Sequence, residues 1–176
     1  DHCLTLDNLE LTFQVNFLSH FLLCHLLKSC LEATTNGKIV TISAESHRFS
    51  SLKVPSDLRL EDKLNKLWPT HFNSTLAYND SKLFMLMMAL EISQRWSRVK
   101  AISVHPGNMV SSRLPRHWWF YRLAFAIARP FAKSLQQAAA PGIFAVAAPE
   151  MKHVGGIYVN NCFPCQPSEI ALDSQA

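Results

Sequence analysis

Segments of helical length and apolar pattern alternate with short β-branched runs, and this alternation constrains the fold more than any other feature of the chain. Lys38-Ile39-Val40-Thr41-Ile42-Ser43 directly follows Asn36-Gly37, and its near-continuous apolar character suits a strand covered on both faces. Val99 to Val104 reads as a second strand stopped by Pro106-Gly107, and Gly156 to Val159 as a third. The pattern predicts a helix from Asp7, with Glu10 reaching back to complete the cap, to about Leu31. A second runs from Thr75 to about Trp96, with apolar positions too numerous for one stripe, and a third from Ser134 to Ala148. Such a succession predicts an α/β fold with a parallel sheet and right-handed crossovers.

Residues 45 to 74 interrupt the rhythm: they are polar, contain Pro55 and Pro69, and read as a long excursion with a short helix near Leu60 to Leu67. No repeat or linker divides the 176 residues, so a single domain is expected over 1–176, with a tail after about Gln166. The charged fraction is 17%, below the usual quarter or so, which points to surface covered by something outside these residues.

Composition narrows the function classes. The excess of 17 basic over 13 acidic residues is scattered, which argues against nucleic acid as a partner. Leu11 to Leu27 is uncharged but carries Thr12, Gln14, Asn16, Ser19, His20 and His25, a polar load that argues against a transmembrane span. No secretory signal is read at Asp1-His2-Cys3. Five cysteines, an odd number, suggest free thiols in a reducing compartment. Cys162 and Cys165 lack the two further ligands that zinc needs, no metal is expected, and Pro164 between them fits a turn. His105, ahead of Pro106, reads as packing, while His47 and His153 show no partner spacing.

Tyr78 and Lys82 carry the first chemical signal. Four apart on a predicted helix, they emerge on one face about a turn apart. A nearby ammonium favours the phenolate, which would tune Tyr78 for proton transfer to a carbonyl oxygen. The five glycines, at 37, 107, 142, 155 and 156, form no Gly-x-Gly-x-x-Gly turn, so the sequence offers no pyrophosphate cradle.

Asn16 in a Phe- and Leu-rich helix, a strand ending in Ser43-Ala44, the Tyr78/Lys82 helix and a strand closing on His105-Pro106-Gly107 occur in that order. This succession, from Leu9 to about Gln166, resembles the C-terminal half of the short-chain dehydrogenase/reductases. Phe13-Gln14-Val15-Asn16, Glu45-Ser46-His47-Arg48-Phe49, Leu76-Ala77-Tyr78-Asn79 with Ser81-Lys82-Leu83, and His105-Pro106-Gly107-Asn108-Met109 look like a narrower branch, whose members carry WW domains upstream. Trp118-Trp119, Ala128-Arg129-Pro130-Phe131 and Asn160-Asn161-Cys162 support that branch.

The resemblance implies the catalytic half of a Rossmann-like doubly wound sheet, without the glycine-rich βαβ unit that the family places upstream. It implies NAD or NADP, with NADP favoured, and a small apolar carbonyl or alcohol substrate, steroid- or retinoid-like. Tyr78 would be the acid/base, Lys82 would depress its pKa and hold the nicotinamide ribose, and Asn16 would support a relay water. Pro106-Gly107 would pass the nicotinamide amide. The family's catalytic serine falls at Ala44, which has no hydroxyl; Ser43 should face the other side of the strand, and Ser46 is the candidate substitute.

Trp118, Trp119 and Phe120 lie where the family covers its substrate. A substrate lid, a membrane-surface amphipathic helix and a helix packed on the domain itself or on another subunit all remain open for this stretch. Two functions are therefore expected: an NAD(P)-dependent oxidoreductase that is inactive without its upstream half, or a catalytically impaired interaction protein in apoptosis or signalling. The resemblance also implies protein partners bound through upstream WW domains, a homodimer, and a cytoplasmic location, with mitochondrion, nucleus, Golgi or lysosome as further sites.

Overall fold

The computed structural model describes residues 3–52, 72–107 and 133–172. Helix α1 (Leu11–Phe13) passes through a π-helical stretch, Gln14–Leu18, into α2 (Ser19–Ala33), and strand β1 (Gly37–Ile42) follows. A 3₁₀ turn, Glu45–Phe49, leads away from it. Then come α3 (Ser74–Arg95), β2 (Val99–His105), α4 (Leu135–Ala147) and β3 (Ile157–Asn160). The short strand β4 (Phe163–Cys165) and helix α5 (Glu169–Leu172) end the described chain.

The described strands form one open sheet in the order β1-β2-β3-β4. β1 pairs parallel with β2 in the register Ile39↔Ala101, β2 pairs parallel with β3, and β4 pairs antiparallel with β3. Side chains alternate across β2, so helices cover both faces. Val99 and Ala101 pack with Met85, Met88 and Ile92 of α3, whereas Ile102 and Val104 pack with Val159, Ala145 of α4 and Met151. This is the α/β architecture with a mostly parallel sheet that the alternation predicts.

Local chemistry moved several boundaries. Glu10, not Asp7, caps α1: its carboxylate accepts from the Thr12 and Phe13 amides at 2.9 and 2.7 Å. Asn8 in the left-handed region turns the preceding chain, and Asp7 instead accepts from Gln14 Nε2 at 2.6 Å. Ser134 completes a capping box with Gln137 at the start of α4. The expected turn at Pro164 lies two residues earlier, at Asn161-Cys162, and Pro164 sits in β4, an edge strand among the described residues, where a missing N–H is tolerated. The expected tail after Gln166 contains α5, whose Ala171 is buried in the cluster formed by Leu83, Leu86 and Tyr158. The helix expected near Leu60 to Leu67 lies outside the described residues.

Candidate active site

The carboxyl end of β1 is strapped to α3 by three polar contacts. Thr41 Oγ1 donates to Met85 O at 3.1 Å, Ser43 Oγ to Lys82 O at 2.7 Å, and Lys82 Nζ to Ile42 O at 3.1 Å. Strand alternation turns Ser43 onto the helix, as the pattern predicts, and its hydroxyl is committed there. Tyr78, one turn before Lys82, is 42% exposed, so its phenol is open to a ligand.

Asn16 is brought to the same helix. Its Nδ2 donates to Ser81 Oγ at 3.1 Å, and Ser81 Oγ donates in turn to Tyr78 O at 2.7 Å. The π-helical stretch that holds Asn16 widens the helix there, and such bulges are frequent at functional positions. Phe17 stacks on Phe84 at 5.1 Å and Phe13 meets it edge-on at 5.5 Å, fixing the register of the two helices. In the sequence Ser81 stands out only within Ser81-Lys82-Leu83, and its place between Tyr78 and Lys82 is the signal for its role.

The electrostatics differ from expectation at one point. Burial pushes the Tyr78 phenol up and the Lys82 ammonium down. Lys82 Nζ lies 5.4 Å from the centre of the Tyr78 ring and donates to the Ile42 carbonyl. Burial thus shifts the Tyr78 phenol in the direction opposite to the expected depression.

Ala44 stands at the strand end as the N-cap of the 3₁₀ turn. Ser46, the candidate substitute, has its Oγ buried without a hydrogen-bond partner among the described residues, so the hydroxyl is shut off from an incoming substrate. His47, for which the sequence offered no partner, is wholly buried. Its Nδ1 lies 2.8 Å from Ala44 O and its Nε2 accepts from Ser168 N at 3.2 Å, a pair that selects the neutral Nδ1–H tautomer.

Pro106 and Gly107 follow directly on β2, and Gly107 takes φ +97°, a conformation that glycine alone adopts readily. Among the described residues one of the three donors on Lys82 meets a protein acceptor, so the ammonium retains capacity for ribose hydroxyls; this donor set fits a nicotinamide nucleotide. Trp118, Trp119 and Phe120 lie outside the described residues. Among the described residues no group of three His, Cys, Asp or Glu gathers as a metal site, and no helix is long and apolar enough to cross a membrane.

No family model matches the chain. It is 47% identical over 171 residues to the WW domain-containing oxidoreductase of Drosophila melanogaster, covering 95% of this chain and 40% of that protein. Against the Homo sapiens protein of the same name it is 44% identical over 178 residues, with 98% and 42% covered. The chain is homologous to the WW domain-containing oxidoreductases. It spans about 40% of the length of these relatives. Retinol dehydrogenase 13 of Mus musculus is 33% identical over 183 residues, covering 99% of this chain and 52% of that one.

Solved structures carry the same fold. An uncharacterized protein from Mycobacterium paratuberculosis superposes with a TM-score of 0.66 at 23% identity, covering 99% of this chain and 57% of its own. The NADPH-bound carbonyl reductase from chicken fatty liver gives 0.56 at 16% identity, with 89% and 57% covered. The chain thus shares the fold of these two proteins over a little more than half of their length.

Proposed function

We propose that this chain is the catalytic half of an NAD(P)-dependent short-chain oxidoreductase that interconverts a carbonyl and an alcohol on a small apolar, steroid- or retinoid-like substrate. The observation that carries the reading is the convergence of Tyr78, Lys82 and Asn16 at the carboxyl end of β1, through Ser43 and Ser81. When bound, the nicotinamide nucleotide supplies or accepts the hydride at the substrate carbon. Tyr78 gives the proton to the carbonyl oxygen during reduction and takes it back during oxidation. Lys82 holds the ribose, and Asn16, fixed by Ser81, orients the water that refills Tyr78. Pro106 and Gly107 border the nicotinamide amide. NADP is the preferred nucleotide, a choice supported by the NADPH-bound neighbour. WW domains of the kind named in the relatives supply protein partners.

In full-length protein assayed with retinoid and steroid carbonyls, Tyr78→Phe should lower turnover by about 10²- to 10⁴-fold, the usual worth of a positioned acid/base. Unchanged turnover would remove Tyr78 from the mechanism. Ala44→Ser should raise kcat on the order of 10²-fold, as expected for one restored donor to the substrate oxygen. Ala44 also supports a second reading, an interaction protein in apoptosis or signalling with weakened catalysis. That reading gains if Ala44→Ser leaves turnover flat while cofactor binding is intact.

A further inference from the structure

A line of polar side chains crosses the carboxyl ends of the strands, joining the turn after Ala44 to the Pro106–Gly107 turn. Glu45 Oε2 accepts from Tyr158 OH at 2.9 Å and from Asn160 Nδ2 at 3.2 Å. Asn160 Oδ1 accepts from Asn161 Nδ2 at 2.8 Å, and Asn161 Oδ1 accepts from Lys133 Nζ. Lys133 Nζ also reaches Pro106 O at 3.5 Å. The polarity is consistent along the line: an ammonium at one end, two amides oriented donor to acceptor, and a carboxylate at the other. Each amide dipole strengthens the next.

Two backbone features show that this line is held against a cost. β3 and β4 are joined by the two-residue loop Asn161-Cys162, with φ of 51° and 68°. Such a turn favours Asn-Gly, and cysteine in the left-handed region is unfavourable. The conformation sets the Asn161 amide between Asn160 and Lys133. On the other side, a Cβ added at Gly107 would run into Lys133 Nζ and Asn161 Oδ1, so that turn is packed directly against the line.

We propose that Glu45, Asn160, Asn161 and Lys133 form a positioning chain that holds the Pro106–Gly107 turn in fixed relation to the turn after Ala44. Cofactor-side and substrate-side backbone then move together. Lys133 is the residue that couples the line to the cofactor turn. The inference rests on the proposed oxidoreductase reading, in which Pro106 and Gly107 border the nicotinamide.

The test uses full-length protein and two readouts: fluorescence titration with NADPH and NADH, and hydrogen exchange in peptides covering residues 43–49 and 104–107. Lys133→Met should weaken binding of the preferred nucleotide about tenfold, the worth of one charge-assisted hydrogen bond. It should also speed exchange in both peptides, including 43–49, which Lys133 is not seen to contact. Lys133→Arg should recover most of both effects, and Glu45→Gln should loosen the same two peptides from the other end. Exchange that rises only in 104–107, or unchanged nucleotide affinity in Lys133→Met beside a wild type that binds, overturns the chain. A wild type that binds neither nucleotide is instead a failure of the oxidoreductase reading. Coupled exchange between the two peptides then decides the chain by itself.

Discussion

The two segments that flank β1 are buried in the reverse order of their hydrophobicity. Residues 43–52 are mostly polar, yet Ser43, His47 and Ser50 are all buried. α2 is rich in leucine, yet none of its residues is buried, and Leu26 is 70% exposed. The polar segment goes inside because each of these groups finds a partner there, and a paired polar group costs little to bury. Asp80 of α3 anchors it, accepting from Ser50 Oγ, Ser51 N and Ser51 Oγ at 2.6, 2.8 and 2.6 Å. Asn79 Nδ2 adds a bond to Phe49 O at 3.2 Å. Hydrophobicity alone does not decide burial; position in the layers does.

The largest expected effect breaks the polar side of this contrast. Asp80→Ala removes the buried carboxylate that accepts from Ser50 and twice from Ser51, and should cost about 3 kcal/mol in urea unfolding, given the strength of hydrogen bonds to a charged acceptor. A loss under about 0.5 kcal/mol, the range of ordinary surface changes, would mean that the segment is held by other contacts.

An intermediate effect comes from pH. Burial lowers the His47 pKa; the Ala44 carbonyl opposes that shift, while the Arg48 charge adds to it. Burial raises the Glu45 carboxyl, but hydrogen bonds from Arg48 and Tyr158, together with the charges of Arg48 and His47, outweigh it and leave the pKa below the ordinary value. Both folded values lie below the unfolded ones, so both groups bind protons more readily when unfolded. Their contributions are complete at neutral pH and fade on acidification. The thermal midpoint should begin to fall below about pH 6.5, where an unfolded histidine titrates, with Glu45 adding its share below about pH 4.3. His47→Gln should flatten the first part of that decline, and an identical profile in this variant would exclude His47 as its source.

The smallest effect sharpens the apolar side. Leu26→Ala on the exposed face of α2 should change stability by no more than about 0.5 kcal/mol, as at other surface positions. A loss of about 2 kcal/mol or more, typical of a buried leucine, would show that this face is covered in solution.

The sheet and its helices were legible because their signals are local. Gly37 and Pro106 punctuate strands, Ser134 caps a helix, and Tyr78 and Lys82 share a helix face by spacing alone. The cap falls on Glu10 and not on Asp7, because the choice between two acidic residues depends on the left-handed turn at Asn8. β4 escaped notice because three residues around Pro164 carry little strand signal until β3 lies beside them.

By itself the sequence determined the α/β alternation, the pairing of Tyr78 with Lys82 and the methyl group at Ala44 in place of a hydroxyl. All three follow from chain-local geometry or side-chain identity. Only the tertiary structure decided that Lys82 faces the tyrosine ring, that His47 is buried and neutral, and that Glu45 meets Tyr158 and Asn160, 113 and 115 residues away. Contacts at such separations are set by how strands and helices pack, and no periodicity in the sequence encodes them.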